Sequence, residues 1–284
     1  MIDIKQLLEH EIPLGRQKLS RHAAALYALT VGLGQDSLDT RQLSFVDPVP
    51  SMSILPFMAV VLAPHGPWMA DPKLGIDYAR IVHGEQSMRF EAPLPAEGEV
   101  VGKLRILDVI DKGEGKGALL YTEKELLDAA TGQRLALLHS TLFMRGNGGF
   151  GGKAGPVPPV HALPEIEPDF LIDMPTRTEQ ALYYRLNGDF NPLHANPAMA
   201  AKAGYPRPIL HGLCTLGVCG HAILRTLCDY DLSRLESLSL RFSAPVLPGD
   251  TVRVEMWRDG SFRARVPERD AIVINNGKAG IRQS

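Results

Sequence analysis

Apolar and polar residues alternate most regularly in the last part of the chain. Every second residue is apolar over 238–242 and again over 252–256. A period of two is typical of antiparallel strands with one buried face. Asp259-Gly260 then forms a typical hairpin-turn pair before a further strand candidate at 261–266. The pattern therefore predicts an antiparallel meander towards the C-terminus.

A long apolar run precedes this meander, from residue 208 to about residue 228, and predicts a buried helix. Gly212, Gly217 and Gly220 lie inside it, and each costs about 1 kcal/mol of helix stability relative to alanine. Such glycines indicate that another part of the protein packs closely against the helix. Gly212 should lie in the first turn, where backbone N–H groups have no acceptor within the helix. Ionisable residues inside the run argue against a membrane-spanning helix.

A shorter apolar run, residues 181–186, is predicted to be a strand. It leads into Asp189-Phe190-Asn191-Pro192-Leu193-His194, where a carboxyl group and an imidazole flank an Asn-Pro turn. Asp and Pro restrict the backbone of such a turn, so both ionisable groups can face one small volume and hold a water molecule for proton transfer. The alternative is structural: Asp189 only caps the turn, and His194 lies on a helix face.

The chain contains two related halves on either side of a Gly- and Pro-rich stretch. Residues 89–107 and 241–257 share Arg-Phe-x-Ala-Pro, a Pro/Gly turn and a following strand pattern, at an offset of 152 residues. A long helix wrapped by antiparallel strands is the hotdog arrangement. The duplication therefore predicts an α+β double hotdog of two antiparallel sheets, each wrapping a central helix. The predicted parts are 1–145, a linker at 146–168, and 169–284.

Composition narrows the class of protein. The chain has 284 residues, a net charge of −2, 45% hydrophobic and 22% charged residues, as in ordinary soluble proteins. This charge gives no footprint for nucleic acid or an anionic membrane surface. The N-terminus lacks a secretory signal, and the C-terminal Arg-Gln-Ser is not a peroxisomal address. Three cysteines in the predicted helix lack metal-type spacing and indicate core residues in a reducing compartment. We expect a cytoplasmic protein.

The turn at 189–194, Asn196-Pro197 and the segment 208–217 resemble the signature of MaoC-like, type 2 enoyl-CoA hydratases. His83-Gly84-Glu85-Gln86, the Gly-rich stretch 148–153 and Arg241-Phe242 extend the likeness over nearly the full length. The resemblance implies hydration of trans-2-enoyl-CoA to (3R)-3-hydroxyacyl-CoA. It implies no cofactor and no metal, because the CoA thioester is itself the substrate. Hotdog sheets often join edge to edge, so a homodimer is expected.

The resemblance also implies residue roles. Asp189 and His194 would hold the water, with His194 preferred as the base and Asp189 handling the proton at the α-carbon. Asn191 would orient the water or the imidazole, and the Gly212 N–H would bind the thioester oxygen. Residues expected to contact the CoA or acyl part are His83, Gly84, Lys112, Phe190 and Phe242. Supporting roles are implied for Tyr27, Asp47, Glu85, Tyr184 and His211, and Asp47 stands where the family often has Glu.

The N-terminal half departs from the C-terminal half in two ways. It has no Asp-x-Asn-Pro-x-His sequence, and its helix candidate at 54–63 is followed at once by Pro64, Gly66 and Pro67. We therefore predict a non-catalytic half with a shortened helix, which leaves room for an acyl chain. Three alternatives to a hydratase remain: a thioesterase, a dehydratase working in the reverse direction, and a silent acyl-CoA-binding protein.

Overall fold

The computed structural model describes residues 2–36 and 38–282. The N-terminal half contains three helices and five strands within these residues: α1 (Ile4–Leu8), β1 (Gly15–Leu19), α2 (Arg21–Thr30), α3 (Leu43–Val46), β2 (Ile81–Phe90), β3 (Gly98–Asp111), β4 (Ala118–Asp128) and β5 (Arg134–Met144). The C-terminal half contains β6 (Phe170–Pro175), α4 (Gln180–Tyr184), α5 (Pro197–Lys202), α6 (Gly212–Leu227), β7 (Leu235–Phe242), β8 (Thr251–Met256), β9 (Ser261–Val266) and β10 (Ala271–Ile281). The stretch 146–168 between the halves has neither helix nor strand.

The ten strands form one antiparallel sheet in the order β1-β3-β4-β5-β2-β7-β10-β9-β8-β6. The α+β class is confirmed. The prediction of two separate sheets needs correction, because β2 and β7 pair, with Gln86 opposite Leu240 and Met88 opposite Leu238. Each strand would otherwise leave a row of backbone N–H and C=O groups unpaired at a sheet edge. Pairing therefore joins the two five-stranded halves into one continuous sheet.

Helix α6 lies inside the curve of this sheet, and its residues 214–224 are all buried. It contacts strands β6, β7, β8 and β10 of its own half. Two of its glycines face the N-terminal half. A Cβ on Gly217 would lie 2.4 Å from Val31 Cγ1, and one on Gly220 would lie 2.9 Å from the Phe57 ring. The predicted close packing is confirmed, and the N-terminal half supplies it.

The N-terminal half has only a short counterpart of α6. Within the predicted helix at 54–63, the structure has a single 3₁₀-helix, Pro56–Val60, so the prediction of a shortened helix is confirmed. Phe57 of this segment is fully buried against α6. One long helix therefore serves as the core of both halves.

The strand predicted at 181–186 is wrong. These residues form α4 and a following 3₁₀-helix, Arg185–Asn187. Ala181 and Tyr184, three residues apart, are buried, whereas Leu182 and Leu186 are about half exposed, at 49% and 56%. That spacing is helical, and the apolar run concealed it because both faces carry apolar residues.

The start of α6 also differs from the prediction. The helix begins at Gly212, not directly after Pro208. Leu210 donates its N–H to the Val246 carbonyl at 2.8 Å, and His211 keeps an extended backbone (φ −60°, ψ 136°). This tether holds the residues before Gly212 out of the helix. None of the described helices is long and apolar enough to cross a bilayer.

Candidate active site

A chain of backbone caps shapes the turn between α4 and α5. Asp189 Oδ1 accepts the N–H of Asn191 at 3.1 Å, and Asn191 Oδ1 accepts the N–H of Leu193 at 3.0 Å. Pro192 then starts a 3₁₀ turn that ends at His194. The side-chain oxygen of Asn191 therefore caps the turn that ends at His194, and its predicted role towards the water or the imidazole remains a prediction.

His194 is 8% exposed, and its Nδ1 lies 2.9 Å from the Ile209 carbonyl oxygen. A carbonyl oxygen only accepts hydrogen bonds, so Nδ1 carries the proton and Nε2 keeps its lone pair. Burial lowers the pKa of His194 below its ordinary value of 6.5. At neutral pH the ring is therefore uncharged and able to accept a proton at Nε2.

His211, the residue before α6, packs against the same imidazole. The two rings stack with centroids 3.7 Å apart, and His211 Nε2 lies 3.2 Å from the Asp189 backbone carbonyl. Burial first, and then the neighbouring His194, lower the pKa of His211. A neutral His211 thus donates to the backbone of Asp189 while its ring face supports His194, and it ties the turn to the start of α6.

A carboxylate oxygen of Asp189 and one ring nitrogen each of His194 and His211 all lie within 4.8 Å of one another. Asp189 is exposed, whereas the two histidines are buried. Two groups that each hydrogen-bond to one water at about 2.8 Å lie about 4.5 Å apart. One water molecule therefore fits between the carboxylate and the imidazole. Two imidazoles and a carboxylate are also a donor set that transition metals accept, and the absence of a metal remains a prediction.

These groups open into a cavity of about 330 Å³. Gly212 forms part of its wall as the first residue of α6, so its N–H has no acceptor in the helix and lies at the positive end of the helix dipole. A Cβ on Gly212 would lie 3.2 Å from the Phe242 ring, which in turn meets His83 edge-on with centroids 4.9 Å apart. Glycine at position 212 keeps its N–H accessible beside the aromatic wall.

The cavity brings together many of the predicted residues. Those that line it are His83, Asp189, Asn191, His194, His211, Gly212 and Phe242. Tyr27 and Tyr184 are completely buried behind the site. Tyr27 donates its hydroxyl to the Phe57 carbonyl at 3.2 Å, and the Tyr184 ring lies 4.9 Å from that of His211. Both tyrosines pack in the core beside the site, and their supporting roles remain predictions.

Other predicted residues lie outside the cavity lining. Phe190 is 60% exposed beneath the Arg185 guanidinium, because the capped turn directs it outwards. Asp47 is exposed at the end of α3, so its predicted supporting role has no contact with this cavity. Lys112 is exposed in the β3–β4 turn, and its contact with a CoA phosphate remains a prediction.

Gly84 and Glu85 lie at an irregularity of β2. The pairing of β2 with β5 shifts register between His83 and Glu85, so His83 lines the cavity while Glu85 does not. The Glu85 carboxylate accepts the Thr141 hydroxyl at 3.1 Å and lies 3.6 Å from Arg241. The substrate contact predicted for Gly84 remains a prediction.

No sequence pattern pointed to Ile209, whose carbonyl sets the tautomer of His194. A backbone carbonyl is present at every residue, so only the three-dimensional contact identifies it. The stacking of His211 on His194 was missed for the same reason, although His211 itself was among the predicted supporting residues.

Residues 18–146 match the MFE-2 hydratase 2 N-terminal domain, and residues 160–276 match the MaoC like domain. The chain belongs to the MaoC-like, type 2 enoyl-CoA hydratase family. It is therefore an enzyme of the lyase class. The two family models match one half of the chain each, so the predicted family is confirmed.

Several known proteins are similar to this chain over most of its length. The 3-hydroxyacyl-thioester dehydratase Y of Mycobacterium tuberculosis is 42% identical over 84% of this chain and 82% of its own. The peroxisomal enoyl-CoA hydratase 2 of Arabidopsis thaliana is 35% identical, with 94% and 92% covered. The crystal structure of a MaoC-like dehydratase from Phytophthora capsici, 30% identical, superposes with a TM-score of 0.86 over 100% and 99% of the two chains.

Buried histidines predict an acid-sensitive fold. Burial lowers the pKa of His83 and of His221 to about 4, from 6.5. Between these values the unfolded chain binds protons that the folded chain excludes. The free energy of unfolding should therefore be at its full value above pH 6.5 and fall towards pH 4, by up to about 1.4 kcal/mol per pH unit for each histidine.

Urea unfolding at several pH values measures this dependence. His221 Nε2 lies within hydrogen-bond distance, 3.0 Å, of the Tyr230 hydroxyl. The ring does not line the cavity that holds Asp189 and His194, called the catalytic cavity below. His221→Gln should therefore flatten the pH dependence, even if it lowers stability at every pH. An unchanged slope in this variant would show that His221 is not excluded from protonation.

Proposed function

We propose that the protein catalyses the reversible hydration of trans-2-enoyl-CoA to (3R)-3-hydroxyacyl-CoA in fatty acyl-CoA metabolism. The observation that carries this proposal is the convergence of the Asp189 carboxylate and the uncharged His194 imidazole beside the free N–H of Gly212. The names of two relatives, an enoyl-CoA hydratase and a 3-hydroxyacyl-thioester dehydratase, describe opposite directions of such a reaction and support it.

The chemistry begins with the water between Asp189 and His194. His194 Nε2 takes a proton from the water as the water oxygen attacks the β-carbon. This proton then passes from His194 to the Asp189 carboxylate and from Asp189 to the α-carbon, so the net addition is one water molecule. Positioned proton transfer of this kind contributes about 10²–10⁴-fold to the rate.

The Gly212 N–H would serve the other end of the reacting system. The β-carbon of an enoyl thioester is electrophilic only as far as the carbonyl oxygen accepts negative charge. An unpaired N–H at a helix N-terminus stabilises such an oxyanion, and loss of one donor typically costs about 3 kcal/mol of barrier. Activated water and an oxyanion donor in one cavity are what hydration requires.

We further propose that the division of labour follows the sequence: residues 169–284 carry the chemistry, 146–168 link the halves, and 1–145 accommodate the acyl chain. A second cavity of about 220 Å³ supports this proposal. It lies against the N-terminal half and shares His83 and Leu213 with the catalytic cavity. Acyl-CoA as substrate, a homodimer and a cytoplasmic location belong to the same proposal.

The direct test is incubation of the purified protein with crotonyl-CoA. We expect loss of the absorbance of the enoyl thioester and formation of the (3R)-hydroxy product, identified by chiral analysis. Release of free CoA would instead indicate a thioesterase. Binding without any turnover would indicate a silent acyl-CoA-binding protein, and either result would contradict the proposal.

The pH dependence of activity should follow His194. Its lowered pKa lies below 6.5, and only the uncharged ring accepts a proton. We expect kcat/KM to be level near neutral pH and to fall about tenfold per pH unit below the pKa of His194. Rate measurements over the range in which circular dichroism shows an intact fold would check this. A rate that rises on acidification would contradict the role of His194 as base.

A further inference from the structure

The cavity of the N-terminal half adjoins the cavity that holds Asp189 and His194. Its floor is the inner face of strands β2, β4 and β5, and its roof is the segment from Val60 to Met69. His83 and Leu213 line both cavities. An acyl chain whose thioester lies beside Gly212 would therefore reach the second cavity by passing these two side chains.

The floor of this second cavity is partly polar. Gln86, Ser140 and Thr122 are direct cross-strand neighbours on β2, β5 and β4, and all three line it. Ser140 donates its hydroxyl to Gln86 at 2.8 Å, and Gln86 donates to the His139 carbonyl at 3.0 Å. Gln86 and Ser140 thus bind each other and the backbone, so a hydrocarbon chain can cross them.

Lys124 differs from these residues. It lies two residues beyond Thr122 on β4, between Leu104 and Leu138 on the neighbouring strands, and it lines the same cavity. Its Nζ donates to the carbonyls of Leu62 at 2.9 Å and Ala59 at 3.3 Å. An ammonium group has three N–H donors, so one remains for a ligand.

No counter-ion accompanies this ammonium group. None of the residues lining the cavity is acidic, and Lys124 forms no ion pair within residues 2–36 and 38–282. An unpaired charge in a largely apolar cavity is unfavourable, and burial lowers the pKa of Lys124 to about 8. A bound carboxylate would supply both the missing charge and the missing acceptor.

The strand register places Lys124 at a distance from the reaction centre. His83 pairs with Leu142, and Leu142 pairs with Leu120, which lies four residues before Lys124 on β4. Two strand spacings and four residues correspond to roughly 16 Å along the sheet. A carboxylate that reaches Lys124 would therefore stand at the far end of an extended acyl chain, well away from the thioester.

We propose that Lys124 binds a carboxylate at the far end of the acyl chain, so that the enzyme prefers ω-carboxy-2-enoyl-CoA thioesters, derived from dicarboxylic acids, over methyl-ended chains of equal length. This proposal rests on the hydratase function proposed above. A purely structural role is the competing explanation, because Lys124 also ties the roof segment to the sheet through the Ala59 and Leu62 carbonyls. The test must therefore measure substrate preference rather than stability.

The experiment compares crotonyl-CoA, trans-2-decenoyl-CoA and the ω-carboxy counterpart of the latter. The proteins are wild type, Lys124→Met, Lys124→Arg and the control Lys103→Met, which changes an exposed lysine on β3 outside this cavity. We expect wild type and the control to favour the ω-carboxy chain by about ten- to a hundredfold in kcat/KM. Lys124→Met should reverse this preference and still hydrate crotonyl-CoA, and Lys124→Arg should keep part of it.

The preference should also depend on pH. The other ionisable side chains lining the cavity are His65 and His83. Burial lowers the pKa of both below 6.5, so only Lys124 changes charge at alkaline pH. The kcat/KM ratio of ω-carboxy to methyl-ended substrate should therefore fall as pH rises through about 8, and Lys124→Met should show no such fall.

Two results would overturn the proposal. If wild type hydrates crotonyl-CoA but the ratio of ω-carboxy to methyl-ended substrate is one or less, or equals that of Lys124→Met, the hydratase function stands and the carboxylate site is refuted. If none of the three thioesters is hydrated, the hydratase function fails and the carboxylate proposal falls with it.

Discussion

Asp189→Asn and His194→Gln are each expected to lower kcat for crotonyl-CoA hydration by about 10²–10⁴-fold. At neutral pH, neither the asparagine nor the glutamine side chain can exchange a proton with the shared water. Asparagine retains an oxygen that can accept the N–H of Asn191, as Asp189 Oδ1 does at 3.1 Å. The turn should therefore persist, and the loss should appear in kcat far more than in substrate binding.

The controls separate chemistry from folding. His22→Gln makes the same exchange as His194→Gln at an exposed position on α2 and should leave kcat unchanged. Thermal unfolding and KM, measured for all variants, would show whether the fold and the substrate site are intact. Near-normal turnover of either site variant would refute the assignment of that residue.

Gly217→Val should cause the largest loss of stability of any small change in α6. The added Cβ would lie 2.4 Å from Val31 Cγ1 and 3.2 Å from the Tyr27 hydroxyl, and both residues are 0% exposed. Overpacking of such a site typically costs about 1–3 kcal/mol. Because the clash separates α6 from the N-terminal half, we expect a value near the top of this range and a lower Tm.

A matched control variant and a compensating substitution test whether the clash at Gly217 causes the loss of stability. Thr226→Val introduces the same side chain on the partly exposed last turn of α6 and should change stability little. Val31→Ala in the Gly217→Val background should recover part of the loss, because it removes the clashing methyl groups. If Gly217→Val unfolds like wild type, the close packing of the two halves on α6 is incorrect.

The sequence predicted the C-terminal half better than the junction between the halves. Strands β7 and β8 followed from strict alternation, β9 from the hairpin turn before it, and α6 from a long apolar run with only its start misplaced. The pairing of β2 with β7 could not be predicted, because alternation shows which face of a strand is buried but not which strand lies beside it. The strand prediction at 181–186 was wrong because a short apolar run is as compatible with a helix as with a strand.

The candidate site likewise contains residues that local sequence predicts and contacts that only the fold reveals. Local turn chemistry indicated Asp189 and His194 as candidates, and Gly212 was indicated by its place in the first turn of an apolar helix. Contacts made across the fold were not evident. The Ile209 carbonyl that fixes the His194 tautomer, and the two backbone carbonyls that hold Lys124, depend on how distant segments meet, which no local pattern records.

Whether Asp189 and His194 act on one water molecule is best decided by a double-mutant cycle. The measurement is kcat for crotonyl-CoA hydration by wild type, Asp189→Asn, His194→Gln and the double variant. Residues that act as a unit give strongly non-additive losses, so the double variant should lose about as much as the more impaired single variant. Losses that multiply in the double variant would show that the two residues act independently and would contradict the shared water.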